Sequence, residues 1–199
     1  GAPTSSARQA VVASNGDGFA VATADALGNN GRLQRYRADG TPSGSPTNHT
    51  WGQNLQLEWI GDRYVAAFAV RSGSAERITV RDEFGVGFLV ANGSIPAFDF
   101  AYSPELDTSA FVYLSRTSPN YAAAKWDGFS DRFDCTANCT TPEFTTLFDD
   151  SALKNLDVEY NPITRGWLLL AESNSNGGTA VVNYPDDFSP SRALLTSQS

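Results

Sequence analysis

One motif occurs four times along the chain, and it constrains the fold more than any other feature. Each copy has a short apolar strand, a turn rich in Gly, Asn, Asp or Pro, a second strand opened by an aromatic residue, a third strand and an acidic turn. The second strands lie in FAVATA, RYVAAFAV, AFVYLSR and GWLLLAES. The aromatic residues that set the register are Phe19, Tyr64, Phe111 and Trp167, which are 45, 47 and 56 residues apart. Such a period indicates repeated units that stack on one another.

Each copy also carries a fourth, weaker strand after its acidic turn, around SPTNHT, GFLVAN, EFTTLFD and RALLTSQ. Four short consecutive strands per repeat are typical of an antiparallel propeller blade, and face-to-face packing explains why the second strands lack a polar side. We therefore predict an all-β fold, a four-bladed β-propeller forming one domain over residues 1–199. The predicted blades are 8–53, 54–95, 96–153 and 154–199. A β-sandwich and a part of a larger propeller are the alternatives.

Two stretches carry a resemblance to known proteins. RYRADGTPSGSP (35–46) and VEYNPITRGWLLLAE (158–172) resemble the blade repeats of large secreted bacterial β-propeller proteins, in which a strand ending in Asp-Gly precedes a Thr-Pro turn. This resemblance implies a binding or structural module outside the cell, without a fixed ligand. The four-blade geometry is also similar to that of the hemopexin-like domain. The chain lacks the disulfide between first and last blades of that family, so only the geometry is implied.

The charge and the apolar runs argue against two classes of partner. The formal net charge is −8, whereas nucleic acids and anionic membranes attract clustered Lys and Arg. The apolar runs, such as the one at 167–171, are far shorter than the ~20 residues of a membrane span. We predict neither nucleic-acid binding nor membrane insertion.

Several features indicate an exported protein. Methionine is absent, and the start GAPTSSARQ is typical of a processed chain. Three Asn-x-Ser/Thr sequons make Asn48, Asn92 and Asn138 candidate glycosylation sites. We expect a secreted or cell-surface location.

The only two cysteines, Cys135 and Cys139, lie in FDCTANCTTPEF, an insertion of the third repeat. A Cys-x-x-x-Cys pair without a second pair or a nearby histidine is a poor zinc site, and thioredoxin-like chemistry needs Cys-x-x-Cys. We predict a disulfide between them, provided that the α-carbons approach within ~7 Å. So short a loop contributes roughly 2 kcal/mol, so it would hold the insertion rather than the fold.

Nucleophilic catalysis with a histidine base has little support, because His49 is the only histidine and is expected at the surface. Carboxylates recur instead on the predicted first strands, which lie nearest the axis of a propeller. A cluster of acids requires protonation or a cation, and hard oxygen ligands suit calcium or magnesium. The candidate metal site, with calcium as the candidate cofactor, is formed by Glu58, Asp99, Asp157 and Glu159. The alternative is that these acids pair with strand-borne arginines such as Arg77, Arg81 and Arg116 or reach solvent at the mouth of the channel.

Two further sets of residues have ordinary structural interpretations. Turn aspartates commonly accept backbone hydrogen bonds, which we predict for Asp39, Asp82, Asp127 and Asp187. Most tryptophans and tyrosines are expected in the core or between blades, including Trp51, Trp59, Tyr121, Trp126 and Tyr184. Aromatic residues also follow three of the four third strands, at Phe84, Trp126 and Phe188, as a partly repeated sugar site would require.

These observations lead to three hypotheses of function. The first is a non-enzymatic extracellular structural or adhesive propeller. Its small polar ends, GAPTSSA and LLTSQS, would pair with neighbouring molecules by strand addition and form a homopolymer or filament. The second is a lectin that binds surface glycans. The third is a small glycoside hydrolase that uses a carboxylate pair such as Asp157 and Glu159.

Overall fold

The computed structural model describes residues 9–25, 30–72, 75–93, 95, 97–114, 120–127, 144–149, 153–173, 179–185 and 193–198. Within these residues the chain forms sixteen strands and no helix. The described part accordingly contains no helix with the length and apolarity needed to cross a membrane.

The first eight strands form two antiparallel sheets, each built from four consecutive strands. Sheet 1 consists of β1 (Gln9–Ser14), β2 (Gly18–Ala24), β3 (Gly31–Arg37) and β4 (Pro42–His49). Sheet 2 consists of β5 (Gln53–Ile60), β6 (Arg63–Ser72), β7 (Ala75–Asp82) and β8 (Gly87–Gly93).

The last eight strands repeat this arrangement. Sheet 3 consists of β9 (Phe98–Ser103), β10 (Thr108–Leu114), β11 (Asn120–Asp127) and β12 (Phe144–Asp149). Sheet 4 consists of β13 (Leu153–Asn161), β14 (Gly166–Ser173), β15 (Thr179–Pro185) and β16 (Ala193–Gln198). The four predicted fourth strands are therefore confirmed, and so is the all-β class.

The chain divides into two compact units, one with sheets 1 and 2 and the other with sheets 3 and 4. In each unit the first strands of the two sheets pack together, β1 against β5 and β9 against β13. The buried core of the first unit includes Leu33, Trp51, Leu57, Tyr64 and Phe68. The core of the second includes Val112, Leu156, Val158, Trp167 and Leu169. The prediction of a single domain over the whole chain stays a prediction.

The register of the third repeat differs from the prediction. The aromatic residue is the second residue of β2, β6 and β14, whereas Phe111 is the fourth residue of β10. The turns before β10 and β14 have the same length and end in a left-handed residue, Asp107 (φ 46°) or Arg165 (φ 51°). Ser109 therefore occupies the position of Trp167, and the alignment of Phe111 was wrong by two residues. Because side chains alternate along a strand with a period of two, Phe111 points to the same face of its sheet as Ser109.

Glycines begin several strands because the neighbouring backbone lies very close. A Cβ atom at Gly18 would lie 2.3 Å from the carbonyl oxygen of Tyr36, and one at Gly166 would lie 2.2 Å from that of Tyr184. These positions admit no side chain unless the paired strands move apart.

Gly166→Ala should therefore lower the free energy of unfolding by about 1–3 kcal/mol, since the methyl group overpacks a strand pair. The measurement is urea denaturation followed by tryptophan fluorescence. Ile163→Ala is the control in the preceding turn: Ile163 is 91% exposed, and its truncation should change stability by less than about 0.5 kcal/mol. Equal stability of Gly166→Ala and the parent would contradict the close approach.

Candidate functional site

The turn between β7 and β8 presents apolar side chains to solvent. Phe84 is 71% exposed and Val86 is 45% exposed. They follow Asp82 and Glu83, both of which are buried. The Phe84 ring is therefore exposed to solvent and directly follows two buried acids in the sequence.

Asp82 determines the shape of this turn. Its side chain is 1% exposed, and its Oδ1 accepts the N–H groups of Phe84 at 3.0 Å and Val86 at 2.8 Å. Gly85, with a left-handed φ of 92°, donates its N–H to the carbonyl oxygen of Asp82 at 3.1 Å. Arg63 Nη1 lies 3.5 Å from Asp82 Oδ2. These contacts fix the backbone that carries the exposed ring.

Glu83 connects the two sheets of the first unit. Its carboxylate, 7% exposed, accepts two hydrogen bonds from the guanidinium of Arg35 on β3, one of them from Nε at 2.8 Å. It also accepts the N–H of Tyr64 at 3.0 Å. The Arg35 guanidinium lies 5.4 Å from the centre of the Tyr64 ring and is 40% exposed. Bidentate pairs of this kind are among the stronger protein hydrogen bonds and set a fixed geometry.

We call the group formed by Arg35, Glu83 and Phe84 the turn site. It combines a flat apolar surface, a partly exposed cation and a fixed carboxylate. A sugar ring has one face of C–H groups, which pack on an aromatic ring, and hydroxyl groups that bond to charged side chains. The turn site therefore has the chemistry of a small carbohydrate-binding surface.

The acidic turns behave as predicted where their side chains are described. Asp39 Oδ1 accepts the N–H of Thr41 at 2.9 Å and its hydroxyl at 2.6 Å. The hydrogen bond from the Thr41 hydroxyl, followed by the one from the Thr41 N–H, lowers the pKa of Asp39. Asp82 makes the equivalent backbone contacts. The prediction is confirmed for both; the side chain of Asp127 and all of Asp187 lie outside the described residues.

Three of the four predicted axial acids, Asp99, Asp157 and Glu159, lie in the second unit. Asp99, 8% exposed, accepts the N–H of Val158 on β13 at 2.7 Å. Burial, followed by the interaction with the Asp157 carboxyl, raises the pKa of Asp99 to about 8. Partial desolvation and the charge of Asp157 also raise the pKa of Glu159.

Glu58 lies on β5 in the first unit, opposite Val65. No group of three or more His, Cys, Asp or Glu among the described residues is arranged to hold a metal ion. The calcium site stays a prediction.

His49, which was expected at the surface, is the last residue of β4 and is partly exposed. Its half-buried ring stacks on Trp51 with centroids 4.7 Å apart, and its Nε2 lies 2.8 Å from Thr47 Oγ1. Burial, followed by the positive charge of Arg81, lowers the pKa of His49. This histidine is therefore a neutral packing residue near pH 7.

The remaining predicted residues have mixed outcomes. Trp51 and Tyr184 are each 2% exposed, which confirms their core position, and Trp59 is half-buried. The side chains of Tyr121 and Trp126 are not among those described. Asn48 is exposed on β4, whereas the side chain of Asn92 is outside the description. Cys135, Asn138 and Cys139 lie outside the described residues, so the disulfide and these glycosylation sites stay predictions.

Comparison with solved structures identifies the fold. The SapL1 lectin in complex with α-methyl fucoside matches 97% of the chain with a TM-score of 0.61 and 12% identity. The Dos1 propeller matches 100% of the chain with a TM-score of 0.55 and 13% identity. The chain has the β-propeller fold, with its four four-stranded sheets as blades. An exo-β-1,3-galactanase from Phanerochaete chrysosporium also matches 96% of it, with a TM-score of 0.55 and 12% identity.

The propeller spans only part of each of these structures. It covers 63% of the lectin chain and 49% of the Dos1 and galactanase chains. No protein-family model and no curated protein matches the sequence. The resemblance to secreted bacterial repeat proteins thus stays a prediction, and at these identities the comparisons show the fold alone.

The rigidity of the turn site can be tested at Asp82. Asp82→Ala leaves the partly buried N–H groups of Phe84 and Val86 without their acceptor, which should cost about 1–3 kcal/mol of unfolding free energy. Asp39→Ala is a matched control, because Asp39 makes the same type of turn contact in an exposed position. Its effect should stay below about 1 kcal/mol. If urea denaturation gave the same loss of unfolding free energy for Asp82→Ala and Asp39→Ala, the burial of Asp82 would contribute nothing to the stability of the turn.

Proposed function

We propose that this propeller is a non-enzymatic, extracellular glycan-binding module of an adhesive or lectin type. One observation carries the proposal: the ring of Phe84 is 71% exposed on a turn whose backbone is held by the buried Asp82. An exposed aromatic ring on a rigid turn loses little conformational entropy when a ligand packs on it.

The neighbouring polar groups suit hydroxyl recognition. Arg35 uses Nε and Nη2 for Glu83, so the donors on Nη1 remain for a ligand hydroxyl. Glu83 is oriented by Arg35 and by the N–H of Tyr64, which holds its carboxylate in one position. Polar groups positioned in this way give orientation, while the aromatic ring gives contact area.

Two structural neighbours support the choice of ligand class. One is the SapL1 lectin bound to α-methyl fucoside, and another is the fucose-specific lectin from Aleuria aurantia, which matches 90% of this chain with a TM-score of 0.52. Their sugar is a natural first probe for this chain.

The galactanase neighbour supports glycoside hydrolysis as the alternative function. Hydrolytic carboxylates are separated by ~5.5 Å in retaining enzymes and by ~6.5–9.5 Å in inverting ones. Asp99 accepts the buried N–H of Val158, which gives this acid a structural role within the second unit. This role favours binding over hydrolysis at Asp99.

Location and assembly complete the proposal. The exposed sequon at Asn48 supports an extracellular location. Strand addition at β4 is disfavoured, because Pro42, Gly44 and Pro46 blunt this outer strand. Assembly through the chain ends remains a hypothesis, and light scattering at high concentration tests it: a strictly monomeric mass would exclude it.

Phe84→Ala should weaken binding of the best ligand roughly tenfold, since it removes the stacking surface. A glycan array selects the ligand, with α-methyl fucoside and a β-1,3-galactotriose as defined probes, and calorimetry measures the affinities. Phe84→Tyr, which keeps a ring, should retain most of the affinity.

Ile163→Ala is the matched control, because it removes another highly exposed apolar side chain from a turn in the second unit. Its affinity should equal that of the parent. Absence of binding to every glycan, or equal affinities for Phe84→Ala and the parent, would contradict the proposal.

A further inference from the structure

The backbone donors of the β7–β8 turn are used inside the turn itself. Phe84 and Val86 donate their N–H groups to Asp82 Oδ1 at 3.0 Å and 2.8 Å, and Gly85 donates to the carbonyl oxygen of Asp82 at 3.1 Å. The carbonyl oxygen of Val86 in turn accepts the N–H of Asp82 at 2.8 Å. A ligand on this turn therefore finds no free backbone N–H at residues 84–86.

The polar donors that remain for a ligand belong to Arg35, which is 40% exposed. Its Nε and Nη2 bond to Glu83, whereas Nη1 makes no hydrogen bond to a described residue. The Glu83 carboxylate is nearly buried and already accepts two hydrogen bonds from Arg35 and one from the N–H of Tyr64. The turn site thus offers donors from a guanidinium, while its carboxylate has little acceptor capacity left.

The same turn carries an open apolar surface. Phe84 and Val86 are both exposed, and the residues on either side of Val86 are the exposed glycines Gly85 and Gly87. Side chains are excluded at both glycines, since Gly85 has a left-handed φ of 92° and a Cβ atom at Gly87 would lie 2.3 Å from the carbonyl oxygen of Val80. The Val86 side chain therefore stays uncovered by its neighbours in the sequence.

The charge around the turn site favours a neutral ligand. The described ion pairs here join two guanidinium groups to three carboxylates, those of Arg35, Arg63, Asp62, Asp82 and Glu83. They leave one negative charge in excess. Arg37 and Asp39, both exposed at the end of β3 and in the next turn, cancel each other. A ligand carboxylate or sulfate would therefore meet a negative surface, although it would suit Arg35 alone.

We propose that the turn site recognises the acetyl group of an acetamido sugar, an inference that rests on the proposed glycan binding. The carbonyl oxygen of this group is a neutral acceptor for Arg35 Nη1, and its methyl group packs on Val86 while the sugar ring stacks on Phe84. A hydroxyl group in the same position supplies an oxygen but no methyl group. The acetamido group thus matches both the free donor and the open valine.

Two pairs of methyl β-glycosides test this preference. One pair consists of the N-acetylglucosaminide and the glucoside, the other of the N-acetylgalactosaminide and the galactoside, so that the members of a pair differ only in acetamido against hydroxyl. In ligand-observed NMR titrations the acetamido member of at least one pair should bind about tenfold more tightly, because it gains a hydrogen bond to a charged donor and a methyl contact. Methyl β-glucuronide, the anionic probe, and α-methyl fucoside should bind no better than the glucoside.

Val86→Ala separates the methyl contact from general damage to the turn. It should weaken binding of the acetamido sugar roughly threefold and leave the affinity of the hydroxyl sugar unchanged, because only the acetyl methyl group touches Val86. Val12→Ala, the same substitution at a 64% exposed residue of β1, is the matched control and should alter neither affinity.

The outcomes distinguish this inference from the proposed function. Equal affinities within both pairs, tighter binding of the glucuronide, an equal loss of both sugars in Val86→Ala, or a glycan array whose tightest ligands lack an acetyl group would overturn the acetyl assignment. In each of these cases a loss of binding in Phe84→Ala would still support glycan binding at the turn site. Absence of binding to every sugar would instead contradict the proposed function itself.

Discussion

Neighbouring first strands are joined by a side-chain oxygen that accepts a backbone N–H, and the packing within each unit depends on this contact. Gln9 bonds to Leu55 in the first unit, and Asp99 bonds to Val158 in the second. First strands of adjacent blades do not pair through their backbones, since each sheet contains only its own four strands. A buried N–H without a partner would cost about 1–3 kcal/mol, so the side-chain acceptor makes close packing of blades possible.

A second contact joins the two sheets of the first unit, between β3 and the β7–β8 turn. There the bidentate pair of Arg35 and Glu83 crosses from sheet 1 to sheet 2, and Glu83 also accepts the N–H of Tyr64. This pair and the buried Asp82 hold the β7–β8 turn in one shape. A contact that joins the two sheets thereby positions an exposed ring and a partly exposed guanidinium, the two groups on which the proposed glycan binding depends.

The repeated pattern predicted the architecture well. Each blade alternates short apolar strands with turn residues, and consecutive strands pair with each other, so the pattern along the sequence is enough to identify a blade. The fourth strands were found for the same reason. The recurrence of acids on first strands, with Asp99 on β9 and Asp157 on β13, was found in the same way. The position of Phe111 was wrong, because a single aromatic residue is a weaker marker than the turn that ends at Asp107.

The turn site could not be predicted as a whole. Arg35 and Glu83 are separated by 48 residues, and no local pattern shows that they meet. Phe84 was recognised as an aromatic residue after a third strand, but its exposure depends on the acceptor role of Asp82. Glu58 was grouped with the other acids by strand position alone, and because it belongs to the first unit the structure does not test that grouping.

The most direct test of glycan binding at the turn site is an NMR titration that follows the aromatic ring resonances. α-Methyl fucoside and the best ligand of a glycan array would be added to the native chain. The ring signals of Phe84 should shift with saturation, while those of Phe111, which is 0% exposed, should not move. A glycan that binds the chain and leaves the Phe84 ring signals unchanged would contradict the assignment of the site.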